Sequence, residues 1–257
     1  MHKLKTGEDA EVHLKLRESR SSKWLSLSNT NWQHLQSNIL NKVSHSLTHL
    51  YISNCHLNGH LPVGVLELKQ LQTLDISRNA FEQIPDTLCE QLHSLVTLDC
   101  SFNKLINLTN CISQLVNLKE LNAAHNKIIS LPDELGDLAY LKVLNLSENL
   151  LREIPGIILA GPIAKSLEHL LLGHNLLATL PPEIGNLSSL EELDISNNRF
   201  RFLPACARQL RKLTSFHHSG NEWLLCPPHV DGVPLQEQSS YGTTALEKLF
   251  TYIYPHE

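Results

Sequence analysis

One phrase recurs along this chain, and it restricts the fold more than any other property. In its clear copies leucine stands at the first and fourth positions, a small or apolar residue at the sixth and asparagine at the ninth. The clearest copies are Leu71-Gln-Thr-Leu74-Asp-Ile76-Ser-Arg-Asn79, Leu95-Val-Thr-Leu98-Asp-Cys100-Ser-Phe-Asn103 and Leu118-Lys-Glu-Leu121-Asn-Ala123-Ala-His-Asn126, followed by Leu141 to Asn149, Leu167 to Asn175 and Leu190 to Asn198. Weaker copies flank them. One runs from Leu47 to Cys55, one from Leu213 to Asn221 with His218 at an inward position, and a degenerate opener runs from Ser22 to Thr30. First positions are spaced 25, 24, 24, 23, 23, 26, 23 and 23 residues apart. Leucine fills 51 of 257 positions, which suits a core built by repetition.

The spacing within the phrase has a physical cause. In Leu74-x-Ile76 the apolar pair is two residues apart, the period of a strand that faces one way with alternate side chains. Stacked copies make a parallel ladder at about 4.8 Å per strand, a ribbon of roughly 40 Å. Each copy then passes a Leu-Pro or Ile-Pro step, as at Ile84-Pro85, Leu131-Pro132, Ile154-Pro155, Leu180-Pro181 and Leu203-Pro204, into a segment such as Asp133-Glu-Leu135-Gly-Asp-Leu138 that supplies a second apolar layer. This outer segment needs more room than a strand, so the stack bends with its strands on the concave side. The recurring asparagines, having two donors and an acceptor, are expected to tie each turn to the backbone of neighbouring copies. Serines at 28, 53, 77, 101, 147, 196 and 219 read as small residues where strands crowd.

The phrase L-x-x-L-x-L-x-x-N/C-x-L resembles the leucine-rich-repeat superfamily over Ser22 to about Pro228. That resemblance implies an α/β solenoid, a horseshoe of about nine short parallel strands on the concave face, capped by a helix at each end. Residues 1–21 are expected to form an N-terminal helical cap, with Val12 and Leu16 beside Ala10 and Leu14 as its apolar residues. Residues 22–228 form the solenoid, and residues 229–257 a loop and a capping helix opened by the capping box Thr244-Ala-Leu-Glu247. Copies with Leu-Pro-x-x-(Leu/Ile)-Gly, as at Leu131-Pro132 and Leu180-Pro181, look like intracellular signalling members of the superfamily, of the Ras-suppressor, Scribble and plant Ras-group types. Small GTPases, kinases or phosphatase subunits are the partners which that likeness implies.

Composition narrows the function. A formal charge of −5 argues against nucleic acid as partner. No apolar run is long enough to span a bilayer. Six scattered cysteines without paired spacing, behind an N-terminus with no apolar leader, read as reduced thiols in the cytoplasm. No phosphate-binding, dinucleotide, zinc-protease or nucleophile-elbow string occurs, and the expectation is a non-enzymatic monomer without cofactor or metal. Cys206, His217, His218, Cys226 and His229 have zinc-like residue types, but His217 and His218 fall on opposite faces, so buried thiols and scattered imidazoles are the better account. Leu167-Glu-His-Leu170-Leu171 matches a coactivator helix in letters only, since its leucines belong to the repeat core. Asn-x-Ser/Thr strings at Asn107, Asn145 and Asn186 read as chance matches without a secretory signal.

The outward positions carry the information about partners. In the column after the first leucine, Lys119 and Lys142 are followed by Glu168 and Glu191, which makes the concave ribbon bipolar along its length. Large residues deviate elsewhere: Trp24, Tyr51, Phe102, His125, His169, Leu171, His174 and His217, with His49 and Val143. Most copies put Asp or Asn where Tyr51, Leu171 and His217 stand. Outward apolar side chains are costly to solvate unless a partner covers them. A basic group, Arg199, Arg201, Arg208, Arg211 and Lys212, reads mainly as a solvated face. The expected function is a protein-interaction scaffold in signalling that grips a protein on its concave face. A regulatory or targeting subunit of a phosphatase or ubiquitin ligase is the alternative, and a receptor ectodomain is less favoured.

Overall fold

The structure is a computed structural model that describes residues 7–30, 40, 43, 46–59, 61–202 and 205–222. Nine three-residue strands form one open parallel sheet in sequence order: β1 Trp24–Ser26, β2 His49–Tyr51, β3 Thr73–Asp75, β4 Thr97–Asp99, β5 Glu120–Asn122, β6 Val143–Asn145, β7 His169–Leu171, β8 Glu192–Asp194 and β9 Ser215–His217. The register aligns the fourth position of every copy: Leu25, Leu50, Leu74, Leu98, Leu121, Leu144, Leu170, Leu193 and Phe216. All nine are buried. One contiguous core therefore runs the length of the stack, the arrangement of a leucine-rich-repeat solenoid.

The outer layer follows from the Leu-Pro steps. Proline fixes φ and keeps the preceding residue extended, so each chain enters its outer segment from a β conformation. Short helices then start at α2 (Val63–Leu66), α3 (Asp86–Gln91) and α4 (Gly156–Ala160), and 3-10 turns at Asn110–Gln114, Asp133–Asp137, Pro162–Lys165, Pro182–Asn186 and Ala205–Gln209. Where Thr109 replaces proline, its hydroxyl caps the turn by accepting from the Cys111 amide at 3.1 Å. The 26-residue copy holds its extra length here as two helical pieces, α4 and Pro162–Lys165, so the insertion lies on the outer side. Packing is close enough to require glycine: a Cβ on Gly136 would lie 2.9 Å from the Ile158 carbonyl oxygen, and one on Gly161 only 2.5 Å from that of Gly136.

The asparagines do the expected work. Asn149 Nδ2 donates to the carbonyls of Ala123, Leu146 and Ser147 at 3.0–3.2 Å, while its Oδ1 accepts from the Ile128 amide at 2.9 Å. Asn79, Asn103, Asn126, Asn175, Asn198 and Asn221 likewise reach back to the preceding copy. At Cys55 the thiol substitutes in part, reaching the Leu27 carbonyl at 3.0 Å but offering no comparable acceptor.

At the N-terminal end, α1 (Gly7–Ser22) lies against β1. Val12 and Leu16 are buried as the sequence suggests, but Leu14 is 56% exposed. The correction is geometric. Residue 14 sits about 200° around the helix from residue 12, so it cannot share the face of Val12 and Leu16, and Ser19 takes the next buried position. The side chain of Ala10, the capping box at Thr244 and the whole 229–257 segment lie outside the described residues.

Candidate functional site

The concave face is assembled from three outward columns on the strands and a fourth at their exits. The fourth was not foreseen. Residues 29, 54, 78, 102, 125, 148, 174, 197 and 220, one per copy, all adopt left-handed backbone conformations with φ between 51° and 70°. From Asn29 to Asn197, each of their amides donates to a carbonyl of the next copy, as Phe102 N does to Ala124 O at 2.9 Å and His125 N to Ser147 O at 2.9 Å. The turn is thus set by stacking, and the residue type must tolerate it. Asn29, Asn54, Asn197 and Gly220 are the types that suit this conformation, and no β-branched residue occurs in the column. That composition was the available signal.

This column places Phe102, His125 and His174 on a rim beside the sheet rather than on the strands. Each contacts a neighbouring residue of the same column. Arg78 Cζ lies 4.0 Å from the Phe102 ring centroid, and Phe102 stacks on His125 at 3.9 Å with planes 16° apart. Further along, His174 Nδ1 is 3.7 Å from Glu148 Oε1 and its Nε2 is 3.0 Å from Asn197 Nδ2. Phe102 remains 38% exposed within its stack.

On the sheet itself the sequence-predicted residues fall into two groups. At the N-terminal end Trp24, His49 and Tyr51, together with Lys23, line a cleft of about 580 Å³. Trp24 is 52% exposed, and His49 Nδ1 is held 2.8 Å from Thr48 Oγ1. Toward the other end, Glu192 bridges two imidazoles: His169 Nδ1 at 2.9 Å and His217 Nε2 at 3.4 Å. Leu171 lies half-buried at the other end of β7, two residues after His169. The bipolar charge column partly closes on itself, because Lys142 Nζ and Glu168 Oε1 meet at 2.7 Å. Their mutual hydrogen bond raises the lysine and lowers the glutamate. Both remain solvated, so the pair contributes little to stability. Lys119 and Glu191 are exposed on the same edge.

The remaining sequence candidates separate. Leu170 and Leu171 belong to strand β7 and Leu167 is fully buried, so no coactivator-like helix forms. His218 points into the core beside Phe216, whose ring centroid is 5.0 Å away, while His217 faces the concave side. Cys226 and His229 lie outside the described residues. Among the described residues no group of three or more His, Cys, Asp or Glu side chains is placed to hold a metal ion. Burial pushes the Cys89 thiol up to about 12, with Cys111 adding to the shift, and moves Cys55 and Cys100 upward as well. Such thiols are poor nucleophiles. In the basic group, Arg201 pairs with Glu222 at 3.3 Å. A cleft of about 1070 Å³ opens on the flank between copies, lined by residues including Glu82, Asp86 and Lys104, away from the concave columns.

His218 gives a pH prediction. Burial lowers its imidazole from 6.5 to about 4, and neighbouring His217 acts in the same direction. The unfolded chain therefore binds a proton that the native one refuses, so stability falls as pH drops from about 6.5 to about 4, by up to about 3 kcal/mol. His218→Leu restores the consensus residue and is expected to flatten the dependence of the urea midpoint on pH across that window. A variant whose midpoint still tracks pH as the parent's does would assign the effect to other groups.

Comparison with known proteins agrees with this geometry. The family described as leucine rich repeat matches residues 69–128 and 165–222, and a second description of the same repeat matches residues 46–68. No curated protein sequence matches the chain. Among solved structures, a leucine-rich-repeat protein of Leptospira interrogans is 28% identical, with a TM-score of 0.73 over 84% of this chain and 59% of its own. A plant peptide hormone receptor, solved in complex with its peptide, is 28% identical, with a TM-score of 0.61 over 74% of this chain and 30% of its own. An internalin of Listeria monocytogenes, 23% identical with a TM-score of 0.61 over 76% of this chain and 52% of its own, shares the fold. The chain thus spans less than two thirds of each of these proteins. The repeats, their register and these matches together show that the chain belongs to the leucine-rich-repeat superfamily.

Proposed function

We propose that this protein is a non-enzymatic interaction scaffold that grips a protein partner on its concave face, acting in the cytoplasm in signal transduction. One observation carries the reading: Tyr51 and Leu171 occupy the concave face, and Phe102 its rim, at positions where the other copies hold polar or charged residues or glycine. Exposed apolar groups on an otherwise polar surface lose free energy in water and regain it under a partner. The intracellular setting is supported by the Leu-Pro-x-x-(Leu/Ile)-Gly copies and by the five described cysteines being free thiols. Small GTPases, kinases and phosphatase subunits are the partner classes which that likeness suggests. Among the described residues no helix is long and apolar enough to cross a membrane.

The test uses residues the fold already accepts. Asn occurs in the same column as Tyr51 and Leu171 at positions 122 and 145, and in the column of Phe102 at 54 and 197. The triple variant Tyr51→Asn, Phe102→Asn, Leu171→Asn is expected to keep its Tm within a few degrees while losing partners in an unbiased interaction screen. An unchanged set of partners would remove the concave-face reading. The likeness to a plant peptide hormone receptor favours a second one, an ectodomain that binds a peptide. A glycan on Asn145 or Asn186 of the native protein would support it.

A further inference from the structure

Resting on that concave-face reading, we infer that the partner presents a basic, arginine-rich segment, which lies across β1–β5 with one guanidinium seated at the Trp24–Tyr51 end. The sheet face is unpartnered, and the charged strand residues of β3–β5 are all carboxylates. Asp75 on β3, Asp99 on β4, Glu120 on β5 and Asp194 on β8 all point outward, with Glu191 beside them on the edge. Among the described residues none of these five carboxylates forms an ion pair. Their hydrogen bonds are to neutral groups: Asp75 accepts from Ser77 N, Asp99 from Ser101 N and Asn122 Nδ2, Glu120 from Thr97 Oγ1 and Asp194 from Ser196 N. Asp75 and Asp99 are register partners on adjacent strands, so two like charges stand side by side. That arrangement is unfavourable unless a cation lies over it.

The neighbouring cations do not relieve it. Lys142 is engaged by Glu168, Arg78 lies over Phe102 on the rim, and Lys119 stands exposed on the edge, forming no ion pair with any of the five among the described residues. Lys23 lines the aromatic cleft at its outer strand. The cleft makes the choice of cation specific. Tyr51 is the register partner of Asp75, so one aromatic residue of the cleft adjoins the first unpaired carboxylate, while Trp24 lies one strand further out as the register partner of His49. Arginine meets both requirements at once, since its planar guanidinium stacks on aromatic rings and bonds carboxylates in pairs, whereas lysine offers only a point charge. An acidic partner would meet the carboxylates of Asp75, Asp99 and Glu120 directly, a costly juxtaposition.

The experiment measures anisotropy of fluorescein-labelled peptides of equal length, alternating glycine with arginine, lysine or glutamate, against the full chain. The arginine peptide is expected to bind most tightly and to weaken as salt is raised. Asp75→Asn/Asp99→Asn keeps the turn acceptors, as Asn122 and Asn145 show by accepting from Ala124 N and Ser147 N. It should weaken the arginine peptide about tenfold. Asp133→Asn/Asp137→Asn makes the same charge change on the outer layer and should leave binding unaltered. Trp24→Ala/Tyr51→Ala should abolish the preference for arginine over lysine. Equal binding of the arginine and glutamate peptides, or equal effects of the two aspartate pairs, overturns the inference. If it fails while the Tyr51/Phe102/Leu171 variant still loses partners, the concave face binds a different chemistry; if neither set of changes matters, both readings fall together.

Discussion

Leu144→Asp is expected to unfold the central copies together. Leu144 is 2% exposed in β6, in register with Leu121 on one side and Leu170 on the other. A carboxylate there must lose its hydration or draw a proton, and either costs several kcal/mol beyond the lost apolar burial. A stack depends on its nearest-neighbour interfaces, so one failed layer uncouples the copies on both sides of it. The full loss is about 5 kcal/mol, comparable with the whole stability of many domains. Circular dichroism melts should show the main transition lowered and broadened or split, while Leu144→Ile shifts it slightly. A fall no larger than that of Leu144→Ile would mean that the copies do not share one core.

Asn149→Ala removes little volume, yet its expected cost is nearly as large. It leaves the Ile128 amide without an acceptor and takes one donor each from the carbonyls of Ala123, Leu146 and Ser147, which keep Asn126 Nδ2, Asn175 Nδ2 and the His125 amide. The unsatisfied amide costs about 1–3 kcal/mol and the three lost hydrogen bonds about 1 kcal/mol each, so a loss of about 3–5 kcal/mol is expected once partial rehydration is allowed for. Hydrogen exchange at the Ile128 amide locates the effect, since that proton loses its acceptor. Asn149→Cys should recover part of the loss, because the thiol of Cys55 reaches the preceding copy's carbonyl in the same way. Retained protection of Ile128 in the alanine variant would show that the asparagine is not the strut described here.

The repeat was legible because its period is written in side-chain polarity. Leu74 and Ile76 face the core for the same reason that they are two apart, and Asn79 to Asn221 recur because a buried turn needs both donors and an acceptor. Hydropathy carries no information about the sign of φ, so it does not show the left-handed rim, and by pattern alone Phe102, His125 and His174 read as ordinary outward positions. The clue lay in turn chemistry, in Asn29, Asn54, Asn197 and Gly220 sharing a column. Contacts between copies were legible only as adjacency. Phe102 and His125 were visible as neighbours in one column, but their 3.9 Å stack depends on strand spacing and rotamer. Glu192 escaped as a bridge because His169 and His217 occupy different columns. Leu14 was misassigned through the angle between successive helix positions, a local error that the burial of Val12 and Leu16 exposes.

The rim amides bond to the following copy in the same way from Asn29 to Asn197, whatever side chain each position carries. A whole 23-residue unit, such as the span from one asparagine at 103 to the next at 126, therefore joins its neighbours through parts that every copy repeats, namely the rim amides, the asparagine struts and the apolar core. Gain or loss of such a unit would lengthen or shorten the gripping surface by one strand width without rewriting what remains. The reach of this protein can change in discrete steps while the identity of what it touches changes independently, one side chain at a time.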